Sequence, residues 1–167
     1  TLCTAGNVDF TISGGSLGTL ASWELYATSC SGSPIATSAS NTFSSIAVSS
    51  SDTYFAKAAG YCNTTTCVNV DILLATSSTD PTSVTSTDTL ICENNNVMLT
   101  VNGGSLGTSA QWNWYDDVCG GNLVAQGNTL NASPSSTTTY SVRAEGYCNN
   151  SNCEDLTIQT YPHFIEL

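Results

Sequence analysis

One hexapeptide occurs twice: Gly14-Gly15-Ser16-Leu17-Gly18-Thr19 returns unchanged as Gly103-Gly104-Ser105-Leu106-Gly107-Thr108. Around it the rest of a unit repeats. Trp23 and Cys30 return at the same offset as Trp112 and Cys119, and Gly60-Tyr61-Cys62-Asn63 returns as Gly146-Tyr147-Cys148-Asn149. A net loss of three residues in the second copy, near Ser38 to Phe43, explains the later change of offset. A chain that repeats itself this way builds one small supersecondary unit twice. Between the copies, Thr76 to Thr82 has no apolar pattern and carries Pro81, which blocks strand pairing. The sequence therefore predicts a first domain over 1–75, a linker over 76–82, a second domain over 83–160 and an apolar tail over 161–167.

Each copy reads as short strands with a period of two. In the second, Ser83–Ile91 is an edge strand A. Val97, Leu99 and Val101 face inward on B, as Val8, Phe10 and Ile12 do in the first. Gln111–Tyr115 is C, with Trp112 and Trp114 inward, matched by Trp23 and Leu25. Leu123–Ala125, Thr129–Ala132, Thr138–Glu145 and Glu154–Gln159 complete D, E, F and G. Seven strands with a tryptophan on C predict two tandem all-β immunoglobulin-like sandwiches, with a small up-and-down barrel as the alternative. The first copy starts two residues before Cys3, so it is expected without an A strand of its own.

Composition narrows the function. Hydrophobic residues at 40% in alternating runs argue for a folded chain rather than a disordered one. The net charge is −11, with Lys57 and Arg143 the only basic residues, which excludes nucleic acid and anionic membrane surfaces as partners. The longest apolar run, Ile72 to Ala75, is too short to insert into a membrane. Eight cysteines in two sets of four point to an oxidising, extracellular compartment.

Four cysteines per copy allow three pairings. With strands alternating in direction, the cysteine before B and the one after C share a pole, while those flanking the F–G turn share the other. The expected pairs are thus Cys3–Cys30, Cys62–Cys67, Cys92–Cys119 and Cys148–Cys153. Zinc, the competing reading of Cys-x4-Cys, needs four ligands at one pole, and the single histidine, His163, lies outside both repeats.

The order Cys, alternating strand, Gly-Gly-Ser-Leu-Gly-Thr, Trp-x-Trp-Tyr, Cys-Gly-Gly, Thr-Thr-Thr-Tyr, Arg-Ala-Glu-Gly-x-Cys and a further Cys resembles an Ig-like repeat of large secreted proteins of Bacteroidota. The second copy matches closely and the first more loosely, with Ser29-Cys30-Ser31-Gly32 and Asp52-Thr53-Tyr54-Phe55-Ala56-Lys57. The likeness stops before Tyr161. It implies arrays in cell-surface adhesins, including gliding-motility adhesins, exported by type IX secretion. It also implies O-glycosylation at Asp-(Ser/Thr)-apolar sites, which makes Thr89 in Asp88-Thr89-Leu90 a candidate.

No catalytic constellation is visible. The three tryptophans have core parity, whereas Tyr26 and Tyr115 point outward as candidate contact residues. Asp116-Asp117 and Glu154-Asp155 read as solvated turn residues rather than calcium ligands, so no cofactor is expected. The glycine-rich hexapeptide precedes a strand and lacks a lysine, which argues for a tight turn with Leu17 and Leu106 plugging the cores, not a phosphate cradle. The leading expectation is a structural and adhesive surface module or filament unit whose partners are neighbouring repeats or copies of itself. A glycan-binding accessory module of a secreted enzyme is the alternative, and ice or mineral binding lacks a regular Thr-x-Thr ladder. Tyr161, His163, Phe164, Ile165 and Leu167 form an apolar strand candidate that fits the unfilled edge of a neighbour's first domain, giving a head-to-tail filament; the favoured reading is an excerpt of a longer covalent array, with the missing A strand upstream in the same chain.

Overall fold

The alternation of apolar and polar residues becomes strands throughout, and among the described residues of this computed structural model, 1–162, there is no helix. The chain divides into two compact units, Thr1–Ala75 and Thr76–Leu167. In the first, a sheet of β1 (Gly6–Thr11) and β4 (Thr42–Val48) faces a sheet ordered β3 (Ala36–Ser38), β2 (Ser22–Ala27), β5 (Asp52–Ala59), β6 (Val68–Ile72). In the second, β12 (Thr129–Ala132), β9 (Val97–Asn102) and β7 (Ser83–Ser86) form one sheet. The other is ordered β11 (Asn122–Gln126), β10 (Gln111–Asp116), β13 (Thr138–Glu145), β14 (Glu154–Tyr161), β8 (Leu90–Cys92). This is an all-β Ig-like sandwich built twice.

Inward parity holds where the sequence placed it. Trp23, Leu25, Phe10, Phe43 and Tyr54 fill the first core, where the Phe10 and Tyr54 rings lie 4.8 Å apart. Trp112, Trp114, Leu99, Val142 and Ile158 fill the second. Trp114 is fully buried, and its indole N–H donates to the Gly127 carbonyl at 2.9 Å, so the ring adds core volume without stranding a donor. Leu17 packs on its core, but Leu106 is largely exposed and plugs nothing.

The expected single edge strand over Ser83–Ile91 is two. β7 pairs antiparallel with β9, the chain crosses between the sheets at Thr87–Thr89, and β8 pairs parallel with β14. Crossing over lets one segment close both layers on the same side of the sandwich. In the first unit only the end of this arrangement is present, as a parallel bridge between Leu2 and Leu74.

The stretch expected as a linker is also different. Thr76–Thr82 is folded into the second unit, with Ser78 and Pro81 buried. It is held by hydroxyls, amides and backbone groups rather than by apolar burial, so it leaves no hydrophobic period to read.

Candidate functional site

The four expected disulfide pairs do not form. Cys30 bonds Cys67, and Cys119 bonds Cys153, with Cα separations of 6.4 and 6.1 Å. That replaces Cys3–Cys30, Cys62–Cys67, Cys92–Cys119 and Cys148–Cys153, and it leaves Cys62 and Cys92 as free thiols. Two features of the connections account for the change. The tip of the β10–β11 hairpin bends over the sheet, so that a Cβ on Gly120 would sit 2.9 Å from the Arg143 guanidinium. The F–G connection doubles back along the end of β13 (Ser151 N–H to Ala144 C=O, 2.9 Å), and β14 begins only opposite Val142. Cys119 and Cys153 thus leave their poles and meet across the outer face of β13. The bridge Cys30–Cys67 does the same over β5.

Arg143 lies against the second strap, its Nη1 3.8 Å from Cys119 Sγ. Arg143 Nη2 is 2.6 Å and Nε 2.7 Å from Glu145 Oε1, and the guanidinium lies 5.5 Å from the Tyr115 ring. The same carboxylate accepts from Tyr115 Oη at 2.5 Å and from Asn113 Nδ2 at 2.9 Å, while Gln126 donates to the Asn113 carbonyl at 3.0 Å. Burial opposes the charge on Glu145, yet the hydrogen bonds from Tyr115, Arg143 and Asn113 together hold its carboxyl below the usual range. Burial first, and then Glu145, pushes the Tyr115 hydroxyl up. In the first unit Lys57 stands 3.9 Å from Glu24 and 4.6 Å from the Tyr26 ring, and Tyr26 donates to Glu24. The acid has changed strand: Glu24 sits where Asn113 is, and Ala59 where Glu145 is. Tyr26 and Tyr115 do point out of their sheets, but Lys57 and Arg143 lie over their rings and both are buried, so neither offers a contact surface. With its oxygens already taken by four donors, Glu145 acts as a lock under the strap and has no site for a ligand.

The second feature is the pole bearing the repeated hexapeptide. In the second unit it is a track for the incoming chain. Thr76 N–H donates to Thr108 Oγ1 at 2.9 Å, and Thr108 N–H returns to the Thr76 carbonyl at 3.0 Å. Asn149 grips Ser78 from both sides, accepting its N–H at 2.7 Å and donating to its carbonyl at 2.9 Å. Gly107 N–H donates to Ser78 Oγ, Thr79 bridges to Ser105, and Asp80 receives two bonds from Asn152 that hold its carboxyl below the usual range. The glycines are what let the segment lie so close. A Cβ on Gly107 would be 2.3 Å from the Thr76 carbonyl oxygen, and one on Gly104 would be 2.7 Å from that of Asp80. No sequence signal singled out Ser78; Asn149 was marked only as the last residue of the repeated Gly-Tyr-Cys-Asn, which with the hexapeptide was the clue to the track.

Other predicted positions are scattered. Thr89 is exposed at the crossover between β7 and β8. Tyr161, expected as a strand for another molecule, ends β14 and pairs with Cys92 of its own unit, because the parallel β8 offers it a partner at home. His163, Phe164, Ile165 and Leu167 lie outside the described residues. Asp116 accepts a bond from Asn122, and Glu154–Asp155 lie on β14, with β13 between them. Among the described residues no cluster of three or more His, Cys, Asp or Glu is placed to hold a metal.

A family model described as an Ig-like domain, CHU_C associated, matches residues 79–162. The chain belongs to this family. The CHU_C-associated match starts at Thr79, inside the docked segment, as expected if that segment is part of the domain. No curated protein matches the chain in sequence. Among solved structures, murine CEACAM1b is similar with a TM-score of 0.59 at 16% identity, covering 97% of this chain and 95% of its own. The I67–I69 fragment of the titin I-band has a TM-score of 0.59 at 11% identity, covering 96% of this chain and 61% of its own. At such identities the likeness is one of fold alone.

Proposed function

We propose that this chain is a non-catalytic serial module of an extracellular protein, a structural and adhesive unit in a cell-surface array or filament. The observation that carries the reading is the docked segment Thr76–Thr82. The stretch leading into a repeat is hydrogen-bonded into that repeat's own hexapeptide pole, a design suited to units threaded one after another on a single chain. Membership of the CHU_C-associated Ig-like family and two strapped sandwiches per chain support the same reading. Disulfides outside the core fit an oxidising exterior. Export by type IX secretion and O-glycosylation at the exposed Thr89 belong to this proposal. The partners it implies are neighbouring repeats and, at the surface, glycans.

Protease shaving and antibody labelling of intact source cells test it. Release of peptides from this chain, with Cys30–Cys67 and Cys119–Cys153 intact by mass, is the expected result. A chain found only inside cells with reduced cysteines overturns the reading, and the same mass measurement shows whether Thr89 carries a glycan.

A further inference from the structure

The two units share a docking track, but only one track is occupied. In the second unit, Thr76–Thr82 covers the hexapeptide and continues into β7, which pairs with β9 so that Val84 packs on the core. In the first unit most of the corresponding residues are present: Ser16, Gly18 and Thr19 on the turn, Asn63 for Asn149, and β1 for β9, while Thr66 stands where Asn152 does. Their loop backbone is the same as well, since Gly60 N–H donates to the Asn63 carbonyl at 3.0 Å and Gly146 N–H to that of Asn149 at 3.0 Å. Yet a Cβ on Gly14 or Gly18 would meet nothing within 4 Å, and among the described residues no strand pairs with the second edge of β1. Ile12 N–H donates to Asn41 on the β4 side. By strand alternation, the Thr11 amide therefore faces the open edge, as Thr100 faces β7 in the second unit. Beside that edge lies a cleft of about 260 Å³ lined by Phe10, Ile12, Val68 and Val70 among others. Val68 and Val70 are exposed valines on the strand that would flank the missing one.

We infer that the first unit's hexapeptide pole, Asn63 and the free edge of β1 form one binding site for an extended segment of the Thr76–Ser86 type, supplied by the stretch that joins a preceding repeat to this one. This rests on the serial-module reading above and names its partner. The ligand chemistry is set by the filled site. It is a hydroxyl-rich backbone that exchanges hydrogen bonds with Thr19 and is clasped on both sides by Asn63. It then runs antiparallel along β1 and drops one β-branched side chain into the cleft, as Val84 does. The apolar tail after Tyr161 fits less well. In register with the first unit's exit, Phe164 falls at the position of Ser78, where the filled site needs a small hydroxyl residue held by an asparagine.

The test fuses the sequence of Thr76–Thr89 directly before Thr1 of the full chain, which places Leu2 and Cys3 in register with Ile91 and Cys92. Hydrogen exchange then reads the Thr11 amide. Docking slows its exchange at least about tenfold, as a closed β-edge requires, and raises the denaturant midpoint of the first unit only. Asn63→Ala in the fused chain reverses part of that protection, while in the unfused chain it changes nothing at Thr11. Unchanged Thr11 exchange in the fused chain overturns the inference, as does equal protection from a fused Tyr161–Leu167 sequence. Either failure leaves the serial-module reading standing, because that reading is judged on intact cells.

Discussion

The two units share the layout of their cores and straps and differ most in what covers the pole that bears the hexapeptide. Their cores carry tryptophan and aliphatic residues at the same strand positions, and their straps close loops of 37 and 34 residues over the same strand. The second unit has β7, β8 and a covered pole, whereas the first has one bridge at Leu2 and an open edge. What distinguishes the two units among the described residues is therefore the segment that covers the pole, not the core. Gly14-Gly15 and Gly103-Gly104 take left-handed backbone in both copies, but only in the second does a neighbouring segment occupy the space that a Cβ on the third glycine, Gly107, would need.

The largest effects should be those common to both units. Trp114→Ala empties the second core and costs about 3–5 kcal/mol, and Leu25→Ala in the first costs about 2–5 kcal/mol. Hydrogen exchange at amides of each unit reads them separately, and a loss confined to the mutated unit is expected. Removing a strap, as Cys119→Ala with Cys153→Ala or Cys30→Ala with Cys67→Ala, should cost about 4 kcal/mol in either unit by loop-closure entropy. A markedly smaller loss in one unit, measured by denaturant unfolding, would break the equivalence of the straps.

Next come changes that should separate the units. Asn149→Ala leaves the buried Ser78 backbone without its partners and should cost about 1–3 kcal/mol. Asn63→Ala should change stability by less than about 0.5 kcal/mol. Equal losses would mean that Asn149 matters to its own loop and not to the docked segment. The two locks differ in the same direction. Glu145→Gln removes charge from a carboxylate with four donors and should cost about 1–2 kcal/mol, whereas Lys57→Met disrupts a looser pair and should cost under about 1 kcal/mol. Because Glu145 is held below its ordinary range when folded, its contribution is present above the unfolded value of about 4.3 and fades as pH falls through the folded one. Acid titration should therefore weaken the second unit, and Glu145→Gln should flatten that dependence. The smallest effect costs no stability: without reductant, a maleimide should label the exposed Cys62 faster than the half-buried Cys92.

Much of this was legible in the residues. Period-two patterning placed the strands and the tryptophans because burial in a sandwich leaves a regular trace. The unfilled edge of the first unit was legible too, as a repeat missing its A segment. The disulfides were not, because strand direction places cysteines at poles only when connections are short and straight. Here the hairpin tip folds back onto Arg143, and the F–G connection retraces β13. The burial of Tyr26 and Tyr115 was missed because strand parity does not show that Lys57 and Arg143 lie over their rings. Thr76–Thr82 escaped notice because hydroxyl-and-amide docking has no apolar period, and only the sameness of Gly-Gly-Ser-Leu-Gly-Thr and Gly-Tyr-Cys-Asn hinted at it.

The parallel pairing of β8 with β14 bears on tension. A pull on Thr76 and Tyr161 drags these neighbouring strands in opposite directions along their length, so their hydrogen bonds are loaded together in shear rather than unzipped singly. Once they part, the 34-residue span between Cys119 and Cys153 stays tied off and withholds about 110 Å of contour from the extending chain. A unit held this way lengthens in a short, bounded step.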